Sequence, residues 1–250
     1  MTATEAARVA TMQHRSAFVL LGSVQTTLIF TLAAIAVPLP LIGREFDLQR
    51  ADLFLLGTAY GLTFTGLLLF GGRLADRYGG RRALNAGLVL FTVASATAPL
   101  APGIGTLLAA RFAQGAGAAL IAPAAMAVLR AAFPSPAAYG RAMATWGGLS
   151  VLGATAGNLL SGLISALLSW RWTFAVPLVV AGAALALTPR LLPDTTPNRG
   201  RTLDRRSGRR GALPRLERGR RGGRHRLGRR QWILSLSLFL DLSPRTGPRT

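Results

Sequence analysis

A few residues in this chain could do more than pack. Arg111 is the lone charge between Arg82 and Arg130. A guanidinium set deep among apolar residues has to face a cavity or a partner, either an anionic solute group or a carboxylate. Gln25 and Asn158 are amides in otherwise apolar runs, and their polar groups need partners where water is absent. Gly148-Leu-Ser150-Val has the outline of a serine nucleophile site. No histidine or lysine stands in its apolar surroundings to activate the hydroxyl, so helix packing accounts for it better. The two histidines, His14 and His225, lie near the termini, and the chain has no cysteine and no lysine. Neither a disulfide framework nor a thiolate metal site can form, and no catalytic residue, metal or cofactor is expected.

The densest polar signal is GGRLADRYGGRR, residues 71–82, with four arginines and four glycines in twelve positions. Glycines let two helices turn sharply and approach closely. Asp76 can accept hydrogen bonds from backbone donors at a helix start, and the arginines suit an anionic membrane surface.

The elements that must position these groups follow from composition. Half of the 250 residues are apolar and only 15% are charged, against about 25% in an ordinary soluble domain. Mean hydropathy is +0.39. A membrane-crossing helix needs roughly 20 apolar residues. Six candidates follow: one within the charge-free run 16–43, then 53–72, 83–98, 104–129, 142–168 and 172–188, with Pro99, Pro102 and Gly103 turning the chain between the third and fourth. The first run contains Ala34-Ile35-Ala36, which has the small-x-small form of a cleavage site. It is too long for a signal peptide, and five more spans follow it. The expected fold class is therefore all-α, a polytopic membrane protein with six transmembrane helices in residues 17–192 and a short N-terminal segment before them, 1–16.

Arginines in short loops set orientation. Arg73, Arg77, Arg81 and Arg82 follow the second span, and Arg130 and Arg141 follow the fourth, whereas the opposite loops hold only Arg44, Arg50 and Arg171. Both termini are expected on the cytoplasmic side of the plasma membrane.

Gly72-Arg-Leu74-Ala-Asp76-Arg77-Tyr-Gly79-Gly80-Arg81-Arg82-Ala-Leu84 resembles the signature loop of the major facilitator superfamily, G-x-L-a-D-r-x-G-r-k/r-x-x-l, in its place between spans two and three. Gly80 departs from a position that is usually basic. Arg111-Phe-Ala-Gln114-Gly115-Ala-Gly117-Ala-Ala is similar to the family's R-x-x-q-G-x-g-a-a. Arg111 would lie about 10 Å inside its helix end, with Gln114 and Gly115 on the same helical side. Gly153-Ala-Thr-Ala-Gly157-Asn158 partly resembles the G-P-x-x-G-G of drug-exporting members. Gly153, Gly157 and Ser161 also recur every four residues, which gives a small-residue face for close helix contact. Ser169-Trp-Arg-Trp-Thr-Phe174 looks like the S-W-R-W-x-F of the fourteen-span drug:proton antiporter branch.

The resemblance covers residues 17–192 and implies one six-helix half of a major facilitator fold, hence efflux of small organic solutes. It implies that Asp76 and its arginines latch one half against the other in one access state. It also implies that Arg111, Gln114, Gly115, Gln25 and Asn158 belong to the transport pathway and to the surface facing the other half. That other half, or self-association, would be the partner, together with the lipid bilayer and protons as coupling ion. Members of the antiporter branch commonly carry an acid in span one. Thr31 stands there here, and none of the expected spans contains Asp or Glu, which puts proton coupling in doubt. The alternative is a non-transporting membrane remnant or scaffold.

Residues 193–250 read differently. Arginines number 14 against six acids in residues 1–200, but 15 against three in residues 201–250. This tail is expected to be disordered. It reads as a polybasic juxtamembrane segment or as out-of-frame translation of a G+C-rich gene, and the abrupt change after Asp204 favours the latter. The lack of aromatics from Arg201 to Gln231 argues against a nucleic-acid partner.

Overall fold

The computed structural model describes residues 3–192, with side chains from Arg15 onward, so the readings placed on the Arg-rich tail lie outside the described residues. Among the described residues seven α-helices follow one another: α1 (Ala3–Ala34), α2 (Leu39–Glu45), α3 (Arg50–Tyr78), α4 (Gly80–Thr97), α5 (Ile104–Ala132), α6 (Pro136–Leu167) and α7 (Ala175–Leu191). Short 3₁₀ turns at Ala98–Leu100 and Trp170–Phe174 precede α5 and α7. All the helices except α2 are long and apolar enough to cross a membrane.

Several boundaries differ from those read in the sequence. The helix α1 begins at Ala3, because the alanine-rich N-terminal segment favours helix. It stops at Ala34, well short of Gly43 where the charge-free run ends. Pro38 restricts Val37 and cannot donate to the preceding turn, so the chain breaks and restarts as the short α2. In the 71–82 motif the chain is helical on both sides: α3 runs on through Tyr78, α4 begins at Gly80, and Gly79 alone lies between them. With φ 93°, Gly79 occupies backbone space that a side chain would strain. Its N–H donates to Ala75 O and its carbonyl accepts from Ala83 N, closing the turn from both sides.

Packing centres on α5, which lies against α3 on one side and α4 on the other, while α1 packs on α6 and α7. Small residues make these approaches possible. A Cβ on Gly71 would run into the carbonyl of Ala119, and one on Gly115 into Tyr60 O and the Thr63 side chain. On the other side of α5, a Cβ on Gly87 would sit 2.9 Å from Gly117 O. Gly80 also belongs here: a Cβ there would be 3.3 Å from Ala124 O, which gives a packing reason for glycine at that position. Along the parallel α1–α6 contact, Gly153 faces Thr26 O, Gly157 faces Phe30 O, and the Ser161 hydroxyl donates to Ala34 O at 2.5 Å. Hydroxyls elsewhere in the spans turn back on their own helices: Thr27 to Ser23 O, Thr31 to Thr27 O and Ser95 to Phe91 O. Lipid offers them no other acceptor.

At the end opposite Gly79, three connections are clasped together. Glu45 Oε1 accepts from Arg171 Nη1 at 2.6 Å and Glu45 Oε2 accepts from Trp170 Nε1 at 2.6 Å. Arg171 Nε donates to Pro99 O, and its guanidinium lies 4.6 Å above the Trp170 ring centroid. The Trp170 indole first, and Arg171 with it, hold the Glu45 carboxyl below the usual carboxylate range, against the opposing effect of partial burial.

Two outcomes follow. Gly71→Ala should destabilise the detergent-purified protein by roughly 1–3 kcal/mol, measured as a lowered thermal midpoint. Gly66→Ala, with open space around its Cβ, should change it little. Because the folded-state pKa of Glu45 lies below its unfolded value, the clasp contributes fully above the ordinary carboxylate pKa. Its contribution is lost as pH falls through the folded-state value. Glu45→Gln should remove that acid-dependent loss from a midpoint-against-pH profile, and a profile identical to the parent's would refute the assignment.

Candidate functional site

Between α1, α3, α5 and α6 lies a cavity of about 600 Å³, lined among others by Gln25, Tyr60, Phe64, Asp76, Arg130 and Trp146. Most of its wall is apolar with a few convergent polar groups, the usual make-up of a small-molecule site. Gln25 Nε2 donates to Ser150 Oγ at 3.0 Å, and Ser150 in turn donates to Trp146 O at 3.1 Å. The serine that resembles a nucleophile is thus held between an amide and a carbonyl.

Arg111 is 1% exposed, enclosed within the bundle. It does not lie on an outer face, where the surface awaiting another half had been expected to carry it. Its Nη1 donates to Thr31 O and to Gln114 Oε1, both at 3.2 Å. Gln114, fully buried, passes the contact on: its Nε2 donates to Ser95 Oγ at 2.9 Å. The guanidinium carbon lies 5.0 Å from the Tyr60 ring centroid, a cation–π distance, and the Tyr60 hydroxyl donates to Leu28 O at 3.0 Å. One connected polar network therefore joins α1, α3, α4 and α5. Gly115 is not part of it but faces the backbone of α3, giving Tyr60 its position over the guanidinium.

The turn motif stands at one end of the cavity. Asp76 is exposed on the last turn of α3 and lines the cavity with Arg130 from the end of α5. Among the described residues it accepts no hydrogen bond from the start of α4, which corrects the capping role expected for it. Gly79 caps that junction through its own backbone, so the carboxylate is left facing outward. Arg77 lies over the Tyr78 ring, Arg82 is exposed, and Gly72, Leu74 and Arg81 are half-buried. Asn158 projects from an exposed face of α6, away from the cavity lining, whereas Gly153, Gly157 and Ser161 occupy the face against α1.

Sequence reasoning passed over Tyr60, Ser95, Arg130 and Glu45. Tyr60 and Ser95 are ordinary span residues until α5 brings Arg111 and Gln114 against them. Arg130 and Glu45 looked like loop charges, and only the pairing of distant loops shows what they face. An available signal was Trp170-Arg171, an aromatic and a cation suited to a carboxylate, with Glu45 among the few acids before residue 193.

The sequence model of the Major Facilitator Superfamily matches residues 19–242. The chain is 37% identical over 177 residues to a cephamycin export protein of Amycolatopsis lactamdurans, a match covering 71% of this chain and 36% of that protein. It is 41% identical over 173 residues to a puromycin resistance protein of Streptomyces alboniger, covering 69% and 32% respectively. Against a lincomycin resistance protein of Streptomyces lincolnensis it is 39% identical over 163 residues, covering 64% and 34%. The chain spans about a third of the length of these relatives. With six apolar helices, the glycine-hinged turn between α3 and α4 and a match across most of its length, the chain is a multi-pass membrane protein and belongs to the major facilitator superfamily.

Proposed function

We propose that this chain supplies the first six-helix half of an exporter of small organic solutes, antibiotic-like in size, in the plasma membrane. The observation that carries this reading is the 600 Å³ cavity bordered by α3 and α6, the two helices least buried in the bundle. Their outward faces present Leu62, Leu69, Phe70, Val151, Leu152 and Leu159, a surface on which a second six-helix unit could close the cavity. The names of the relatives, export of cephamycin and resistance to puromycin and lincomycin, support the solute class.

In this reading Gln25 and the aromatic side chains of the cavity bind solute, and Asn158, on the exposed face of α6, meets the second half and joins the pathway there. Arg111 and Gln114 act from behind the lining by fixing Tyr60 and α1, with Gly115 setting the approach of α3. Asp76 and the arginines of the 72–82 turn latch the two halves in one access state. The spans described here carry carboxylates only in their end turns, at Asp52 and Asp76, so proton coupling falls to the second half. The positive-inside pattern supports a cytoplasmic side for the Gly79 turn and both termini.

Because the chain has no cysteine, single-cysteine variants report topology directly. Cysteines at Ser169 and Gly103 should react with an impermeant maleimide from outside intact cells, and one at Arg82 only after permeabilisation. Arg82 is exposed, whereas its neighbour Gly80 is packed against α5. The reverse pattern would overturn the orientation.

Transport is tested in reconstituted vesicles. The chain alone should show no antibiotic flux above protein-free vesicles, and addition of the second half of the puromycin resistance relative should establish puromycin flux. Asp76→Asn in that pair should lower the flux roughly tenfold, the loss of one charge-assisted contact. Flux from single chains, or a pair indifferent to Asp76→Asn, would refute the half-transporter and latch readings respectively.

A further inference from the structure

Arg111 has unused donors. Its Nη1 is engaged by Thr31 O and Gln114 Oε1, but among the described residues Nε and Nη2, both buried, have no hydrogen-bond partner. Those two nitrogens form one side-on edge of the guanidinium, a fork of near-parallel N–H groups shaped for an anion. Thr173 is 5% exposed, and its Oγ1 is likewise buried, with no partner among the described residues. Both residues line the same small void, walled otherwise by apolar groups such as Phe30, Ile35, Phe174 and Pro177. The Thr31 hydroxyl beside it is already donated to Thr27 O, so the unpaired donors among the described lining residues belong to Arg111 and Thr173.

We propose that this void between α1, α5 and the turn opening α7 is a binding site for one small inorganic anion of halide size, chloride in the cell. Charge selects an anion, and the narrowness of the void favours a small one. The described partners of Arg111 are a backbone carbonyl, a side-chain amide and an aromatic face, all neutral. A guanidinium in a membrane interior without a counter-charge is strongly penalised. The void is small, no larger than one water needs, so even a halide has to part its apolar walls slightly, and a carboxylate or phosphate has to part them further. Water would satisfy the donors but would bring no charge. Thr173 lies in the 3₁₀ turn that leads into α7, so the positive end of that helix adds to the attraction. A bound halide would be a built-in counter-ion tying α5 to α1 and to the start of α7, and it does not depend on the transport reading.

The test uses the full chain purified in detergent. Thermal midpoints are measured as sodium chloride or bromide replaces sodium gluconate at constant ionic strength. Chloride and bromide should raise the midpoint saturably, and the bulky anion should not, which separates this site from diffuse binding to surface arginines. Thr173→Val, which keeps the shape and the Arg111 charge, should weaken the apparent halide affinity about tenfold. Thr173→Ser should restore it. Arg111→Gln should abolish the halide response, and the Thr173 pair decides the matter if that variant does not fold. A crystal grown in bromide should show an anomalous peak within hydrogen-bond reach of Arg111 Nε and Nη2. Equal midpoints in chloride and gluconate, an undiminished response in Thr173→Val, or ordinary water in place of the bromide peak would each overturn the proposal.

Discussion

A guanidinium sealed inside an apolar bundle cannot be left to find water, and the arrangement of four helices follows from that. Arg111 holds α1 through Thr31 O, sits under the Tyr60 ring of α3, and reaches Ser95 of α4 through Gln114. Each contact also places the residue that makes it. Tyr60 is fixed at its far end by Leu28 O, and Ser95 by Phe91 O. Removing any one member leaves a buried polar group unpaired, which in this medium is more harmful than losing the bond itself.

The network closes because the helices approach nearly to backbone contact. Lipid tails are as apolar as leucine, so no hydrophobic force drives one span onto another, and van der Waals fit has to supply the association. Gly71 and Gly115 bring α5 onto α3, Gly87 and Gly117 bring it onto α4, and Gly153 and Gly157 bring α6 onto α1. In the packed bundle Arg111 Nη1 lies within hydrogen-bond range of the Thr31 carbonyl. Polar satisfaction and close packing depend on each other here.

The two ends of the bundle are finished by different means. At one end a single glycine with positive φ reverses the chain between α3 and α4, with Arg77 and Arg82 exposed on either side. At the other, Glu45, Arg171 and Trp170 tie together connections more than a hundred residues apart in sequence. The first device is local and backbone-driven. The second is a tertiary contact that is half exposed, so its worth is reduced by solvent and salt.

Hydropathy and arginine spacing, read along the chain, were enough to show six spans, a turn between the second and third, and the deep position of Arg111, because those properties depend on a residue and its near neighbours. Element ends were less legible. Pro38 ends α1 inside an uncharged run, and helix continues through charged Arg73–Tyr78, because capping and packing act at a range that a hydropathy window cannot see. The sides of the helices were decided only by the tertiary structure. Arg111, expected to face the bundle interior on the surface that meets another half, is enclosed because α1, α3 and α4 all bring groups against it. Asp76, expected to cap a helix, is turned outward because Gly79 does the capping. Glu45 acquires its partners only when the loop before α7 folds over α2. Side-chain type and spacing determined what had to be buried in this chain; which neighbour buried it depended on how the helices crossed, and crossing is set by contacts between residues far apart in sequence.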